Sequence, residues 1–243
     1  MTSVPCKAWV MSTEASGYLL HQIPYRETSS LVDVFTLTHG RHRLLARGLR
    51  KPGPTPLHPF TPLQLAWSGR GSLPVLTRVE AAGTPLTLTA TALYCGLYLN
   101  ELLIRLLPQE DPCPAVYAGY HQTLTRLTQK DCPEAPLRYF ELLLLESLGY
   151  GLLLDRSAVG CPVQADRHYH YRIDYGLEEV PAPTADSLSG STLSALQNHT
   201  LSDEIQLRQA KRLMRRLIHH YTQGKPLGSR ALFQTRTITS PPA

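Results

Sequence analysis

Between Tyr25 and Pro54 the chain alternates apolar and polar positions with the period of two expected of half-buried strands. Leu31, Val34 and Phe35 fall in one run and His42-Arg-Leu-Leu-Ala-Arg47 in the next, with His39-Gly40 marking the turn of a hairpin. Cys6–Met11 and Gly17–Ile23 read as two earlier short strands joined by a turn over Ser12–Ser16. Leu63–Trp67 and Leu73–Val79 read as two later ones joined by Ser68-Gly-Arg-Gly71. Five prolines between Leu49 and Pro62 keep that stretch out of the sheet, because proline cannot donate to a strand ladder. Short strands follow one another here with no long helix to cover both faces of a parallel sheet. They predict a small curled antiparallel barrel, of which the all-β oligonucleotide-binding (OB) barrel is one form.

The period changes after a threonine-rich, uncharged stretch from Ala82 to Thr91, which sets the expected domains at 1–81 and 82–243. Leu93, Leu97, Leu102 and Leu106 recur at helical spacing until Pro108, where a helix must stop. Tyr117, Tyr120, Leu124 and Leu127 give a second helix over Ala115–Leu127. A third starts within Pro133–Pro136, runs to Leu148 and ends at Gly149; apolar nearly all round, it should form the centre of an all-α helical domain. An irregular insert around 155–185 follows, with a small strand at His168–Ile173. A short helix is expected over Ser189–Leu196 and a long one after Leu201, with Ser202 as its N-cap. That last helix puts Leu213, Met214 and Leu217 on one side and Arg208, Lys211, Arg212, Arg215 and Arg216 on the other.

Charge adds information that the elements do not carry. Over 243 residues the formal net charge is only +5, but it is segregated. Met1–Glu80 holds nine basic and four acidic residues, Ala81–Glu204 seven and fifteen, and Ile205–Ala243 eight and none. Two cationic ends around an anionic middle suit one polyanionic partner and a second, different one. Arg41, Arg43, Arg47, Arg50 and Lys51 arrive together without an acid, the density that a phosphate backbone rewards; Arg70 and Lys7 are further contributors. A short basic run is also what a solvated face looks like. Trp9, Tyr18, Tyr25, Phe35, Phe60 and Trp67 are aromatics of the same region, though at strand spacing such residues fill a core more often than they stack on bases.

Other chemistries find little support. The five cysteines are scattered and never form a CxxC pair, which argues against a disulfide framework or structural zinc. Cys161, His168 and His170 do not supply four ligands, so no metal or other cofactor is expected. No GxxxxGK, HExxH or GxSxG run is present, and Glu141 and Glu146, five apart, do not share a helix face, so no enzyme activity is expected. No apolar run reaches membrane-span length, and Met1–Ser12 is too short in apolar core for a secretory signal, giving a cytoplasmic expectation. A basic amphipathic last helix admits membrane-surface binding, ranked below packing on the helical core. A rival to nucleic-acid binding is a protein-interaction module whose arginines bind acidic protein tails and not DNA.

The run Tyr25-Arg-Glu-Thr-Ser, then Leu31-Val-Asp-Val-Phe35, His39-Gly-Arg41, Ala46-Arg-Gly48, Arg50-Lys51, and Leu63-Gln-Leu-Ala-Trp67 with Gly69-Arg-Gly71 resembles the amino-terminal domain of the bacterial RecO family of DNA repair proteins. Tyr98-Leu-Asn-Glu-Leu-Leu103, Leu106-Leu-Pro108, Asp111-Pro112, Leu137-Arg-Tyr-Phe-Glu141, Leu148-Gly-Tyr150 and Lys225-Pro-Leu-Gly-Ser-Arg230 through Phe233 continue the resemblance in the same order. It implies an OB barrel followed by a helical domain. It also implies a nucleoid-associated recombination mediator in gap repair that binds single- and double-stranded DNA and anneals strands. Such a protein works with RecR and helps load RecA onto strands coated by single-stranded-DNA-binding protein. The acidic, apolar-ended tail of that coating protein is expected to engage the helical domain, for which Arg208, Arg212 and Arg215 are the candidate residues. Many members carry a four-cysteine zinc module in that domain; only Cys161 stands in the region here, so the metal is expected to be absent.

Overall fold

The computed structural model of the chain describes residues 12–48, 57–69, 71–129 and 134–234. Five strands, β1 (Ser12–Tyr25), β2 (Ser29–Thr36), β3 (Gly40–Ala46), β4 (Leu63–Ser68) and β5 (Val75–Ala81), close into a barrel in the order β1-β2-β3-β5-β4. All neighbours are antiparallel except β3 and β5, which pair in parallel through Leu45 opposite Val75 and Ala46 opposite Leu76. This strand order makes the amino-terminal part OB-like, as its patterning predicts. Val32, Val34, Leu44, Ala46, Leu63, Leu65 and Trp67 fill the interior.

Ser12–Ser16, expected as a turn, is strand. Its polar letters hide an alternation in which Ala15 is the buried position, 5% exposed, and Thr13 is partly covered, while the hydroxyl of Ser16 donates to Gln64 Oε1 across the ladder at 3.1 Å. β1 serves two partners: its first half pairs with β4 and its second with β2, and Gly17 is opposite both Leu63 and Thr36. A Cβ there would stand 2.8 Å from the carbonyl oxygen of Phe35, so the glycine permits the strand to coil tightly enough to close the barrel. Cys6–Met11, read as a separate strand, lies outside the described residues. β5 begins two residues later than the pattern suggests.

The chain divides into two compact units, one of residues 1–87 with 107–114 and one of 88–106 with 115–243. In the second, α1 (Ala90–Leu106), α2 (Pro114–Thr128) and α3 (Glu134–Ser147) follow the expected helical runs. The insert forms a small antiparallel sheet, β7-β6-β8, from β6 (His168–Arg172), β7 (Gly176–Val180) and β8 (Leu188–Ser189). α4 (Gly190–Gln197), α5 (Glu204–Tyr221) and α6 (Ser229–Gln234) complete it. Leu145, Tyr169, Leu193, Leu196, Leu213, Met214 and Leu217 belong to one core cluster. α5 is capped by Asp203 rather than Ser202: its Oδ1 accepts from Gln206 N–H at 2.8 Å, and the Ser202 amide donates to the Gln206 side chain. Adjacent serine and aspartate are both good caps, and patterning alone does not choose between them.

Candidate nucleic-acid interface

The β2–β3 hairpin carries the basic run, and strand alternation sorts it. His42, Leu44 and Ala46 point into the barrel, while Arg41 and Arg43 lie on its outer side opposite Phe35 and Asp33. Asp33 is 2% exposed and organises both arginines. Arg43 donates to it in a bidentate pair, Nε to Oδ1 at 3.0 Å and Nη2 to Oδ2 at 2.9 Å, and this hydrogen bonding raises the Arg43 pKa. Arg41 reaches the same carboxylate at 3.7 Å, but its Nε and Nη2 both donate to the carbonyl oxygen of Leu107, at 3.2 and 3.1 Å. It is 8% exposed, and burial lowers its pKa, with Arg43 adding to that. Arg41 therefore ties the segment 107–114 to the barrel, a partner sixty-six residues away that strand alternation does not reveal.

Arg47 differs. It follows β3 directly, is exposed, and has no acidic partner among the described residues. The register brings two further pieces to its flanks. Ser30 opposite Ala46 puts the β1–β2 turn on one side, where Arg26 stacks over the Tyr25 ring at 5.2 Å from its centroid. Leu45 opposite Val75, with its N–H donating to the Pro74 carbonyl at 2.8 Å, brings the end of the β4–β5 connection to the other side. Arg26 lies before the hairpin's basic run, so charge clustering does not single it out; its position next to a strand-ending tyrosine is the local signal. Lys7, Arg50, Lys51 and Arg70 lie outside the described residues. Of the aromatics, Tyr18, Phe35, Phe60 and Trp67 are buried, and Tyr25 is half-buried.

On α5 the three candidate arginines are held differently. Arg208 pairs with Glu204 one turn earlier at 3.0 Å, Arg212 donates to the Ser187 carbonyl at 2.9 Å with Asp186 at 3.8 Å, and Arg215 is exposed without an ion pair among the described residues. The same unit has a cleft of about 200 Å³ between α2 and α3, walled by Pro136, Phe140 and Leu143 with Gln122 and Arg126 on the α2 side, and lined as well by His199 and the acidic Glu146.

Residues 11–85 match the family model described as recombination protein O N terminal, and residues 88–231 match recombination protein O C terminal. The chain belongs to the RecO family. It is 48% identical over 224 residues to the DNA repair protein RecO of Methylococcus capsulatus, covering 90% of this chain and 92% of that one. It is 45% identical over 219 residues to the protein of the same name from Pseudomonas aeruginosa, at 90% and 94% coverage, and 42% identical over 224 residues to that of Nitrosococcus oceani, at 90% and 91%. RecO proteins are non-catalytic and serve DNA recombination and repair as mediators. The described cysteines do not fit a four-cysteine zinc module: Cys95 is buried, Cys113 half-buried and Cys161 exposed, and no group of three or more metal-ligating side chains converges among the described residues, while Cys132 lies outside them. No helix among those residues is long and apolar enough to cross a membrane.

Proposed function

We propose that this RecO chain binds single- and double-stranded DNA through the barrel and acts with RecR in annealing and in RecA loading on strands coated by single-stranded-DNA-binding protein, at the nucleoid in the cytoplasm. The observation that carries the reading is the exposed Arg47, unpaired among the described residues, beside the β1–β2 turn and the β4–β5 connection. In OB barrels the face of strands 2 and 3 and these two loops are where oligonucleotides bind. Arg50 and Lys51 continue the basic run next to it in sequence, with Arg70 and Lys7 further contributors, and Arg43 offers a guanidinium 39% exposed on the same outer face. Arg41 contributes least, since its donors are already engaged. Guanidinium and ammonium groups here grip phosphates without reading bases, so affinity falls steeply with salt and little with sequence.

The test is an Arg47→Ala/Arg50→Ala/Lys51→Ala variant. It should bind oligonucleotides on the order of tenfold more weakly at moderate salt, with a shallower salt slope. Thermal unfolding should be unchanged. Wild-type affinity at matched salt would remove the barrel from the interface and favour the rival module that binds acidic tails alone.

For the acidic, apolar-ended tail of single-stranded-DNA-binding protein, Arg208, Arg212 and Arg215 supply cations on α5. The cleft between α2 and α3 favours a second reading, because an apolar chain end needs a greasy wall beside a cation and Phe140 and Leu143 with Arg126 provide both. Calorimetry with the tail peptide separates them. Loss of binding in Arg208→Glu/Arg212→Glu/Arg215→Glu alone assigns the tail to α5, loss in Arg126→Glu alone assigns it to the cleft, and wild-type affinity in both removes both surfaces.

A further inference from the structure

Where α5 ends, three tyrosines gather on the surface of the helical unit. Tyr150, just past α3, stacks on Tyr221 with ring centroids 4.0 Å apart and an interplanar angle of 18°. A stacked pair normally forms inside a core, but Tyr150 is 44% exposed and Tyr221 half-exposed, so the pair leaves an aromatic face open to solvent. The β6–β7 turn extends the surface. Tyr175, 67% exposed, has the Arg172 guanidinium 4.5 Å from its ring centroid, which covers one side of the ring and leaves the other free. Arg216, on the last turns of α5, joins the two parts by donating from Nη2 to the Tyr171 carbonyl at 2.5 Å, while the rest of its guanidinium remains exposed.

Open aromatic faces interleaved with arginines are what sequence-neutral binding of single-stranded nucleic acid uses: bases stack on the rings and phosphates lie along the cations. Arg172 is paired with Glu178 at 2.7 Å, but both are about half-exposed, and such a pair is weak enough to yield to a phosphate. Asp174, in the turn itself, limits the positive field there, so stacking must supply much of the affinity and unpaired bases are required. α5 and the chain after it, free of acids from Ile205 onward, supply the attractive background. We propose that this tyrosine–arginine surface is a second site for single-stranded nucleic acid, separate in sequence from the barrel site, and that it takes unstacked bases and not duplex. The proposal rests on the reading that the chain binds DNA; it would allow one strand to be held on each unit.

The experiment uses the full chain and labelled oligothymidine beside a duplex of equal length, followed by fluorescence anisotropy. Tyr150→Ala/Tyr175→Ala should bind the single strand on the order of tenfold more weakly, as expected when two stacking platforms are lost, and the duplex as wild type does. Tyr175→Ala alone, at an exposed turn position where folding is unaffected, should show a smaller loss of the same kind, and Tyr175→Phe none. Wild-type affinity for the single strand in the folded double variant overturns the proposal and leaves the surface to a protein partner. Equal losses for duplex and single strand also overturn it, since stacking would not be the cause. If the wild-type chain binds neither oligonucleotide, the DNA-binding reading falls first; if only Arg47→Ala/Arg50→Ala/Lys51→Ala weakens binding, the second site alone falls.

Discussion

Replacing Glu141 by alanine is expected to destabilise the helical unit by about 3–5 kcal/mol, the cost of leaving a buried charge without its partner. Glu141 is fully buried in α3, where its Oε1 accepts from Arg138 Nη2 and from the Tyr98 hydroxyl of α1, each at 2.6 Å. Burial pushes the carboxyl's pKa above the ordinary range against the pull of Arg138, and the Tyr98 phenol is raised as well, first by burial and then by Glu141. Arg138 is itself 5% exposed, and its Nε and Nη1 have no hydrogen-bond partner among the described residues. Alanine would strand that guanidinium entirely. Glutamine keeps an acceptor for Tyr98 but not the neutralising charge, so Glu141→Gln should fall between wild type and Glu141→Ala. Two compact units need not unfold as one, so the measurement is hydrogen exchange of α1 and α3 amides alongside urea unfolding. Loss of less than about 1 kcal/mol in Glu141→Ala, a typical surface value, would show that the triad does not hold the unit together.

This triad also marks where the sequence stops being readable. α3 is legible as a nearly all-apolar helix, and its central place follows from that, but nothing local shows that Arg138 and Glu141 are interior with it. What makes them interior is Tyr98, forty-three residues away. The same holds in the barrel. Alternation correctly puts Arg41 and Arg43 on one face, yet the use of each depends on an acid from the neighbouring strand and on a carbonyl that returns from beyond α1. Local periods, turns and caps are legible because their causes lie within a few residues; the pairing of charges across the fold has no such local trace. The coiling of β1 was hidden for another reason: Ser-Thr-Glu-Ala-Ser has turn-like composition, and only its ladder with β4 makes it strand. Arg47 stayed a surface cation because it lies past the end of β3, where neither Asp33 nor Leu107 reaches it.

Gly40→Ala is expected to release the segment 107–114 from the barrel and to raise exchange of the Glu110 amide on the order of a hundredfold. Gly40 closes the β2–β3 turn at φ +71°, and a Cβ there would stand 2.1 Å from the carbonyl oxygen of Asp111 and 2.8 Å from its nitrogen. No flexible side chain can yield, because the obstruction is backbone. The left-handed conformation adds about 1–2 kcal/mol for an alanine, so the turn and the close approach are strained together. The segment is otherwise anchored by the Glu110 N–H donating to the Arg41 carbonyl at 2.9 Å and by the Arg41 guanidinium on Leu107. Arg41→Ala removes the second anchor and leaves the turn intact, so its effect on the Glu110 amide should be smaller, about tenfold for hydrogen bonds of this kind. Amides between β1 and β2 at Leu19 and Val34 should keep their protection in both variants, since those residues lie in the barrel core. A Glu110 amide as protected in Gly40→Ala as in wild type would mean that the segment accommodates a methyl group, and the close approach would then have no structural role. A uniform loss across β1 and β2 would mean instead that the glycine supports the hairpin itself rather than the docking of the segment against it.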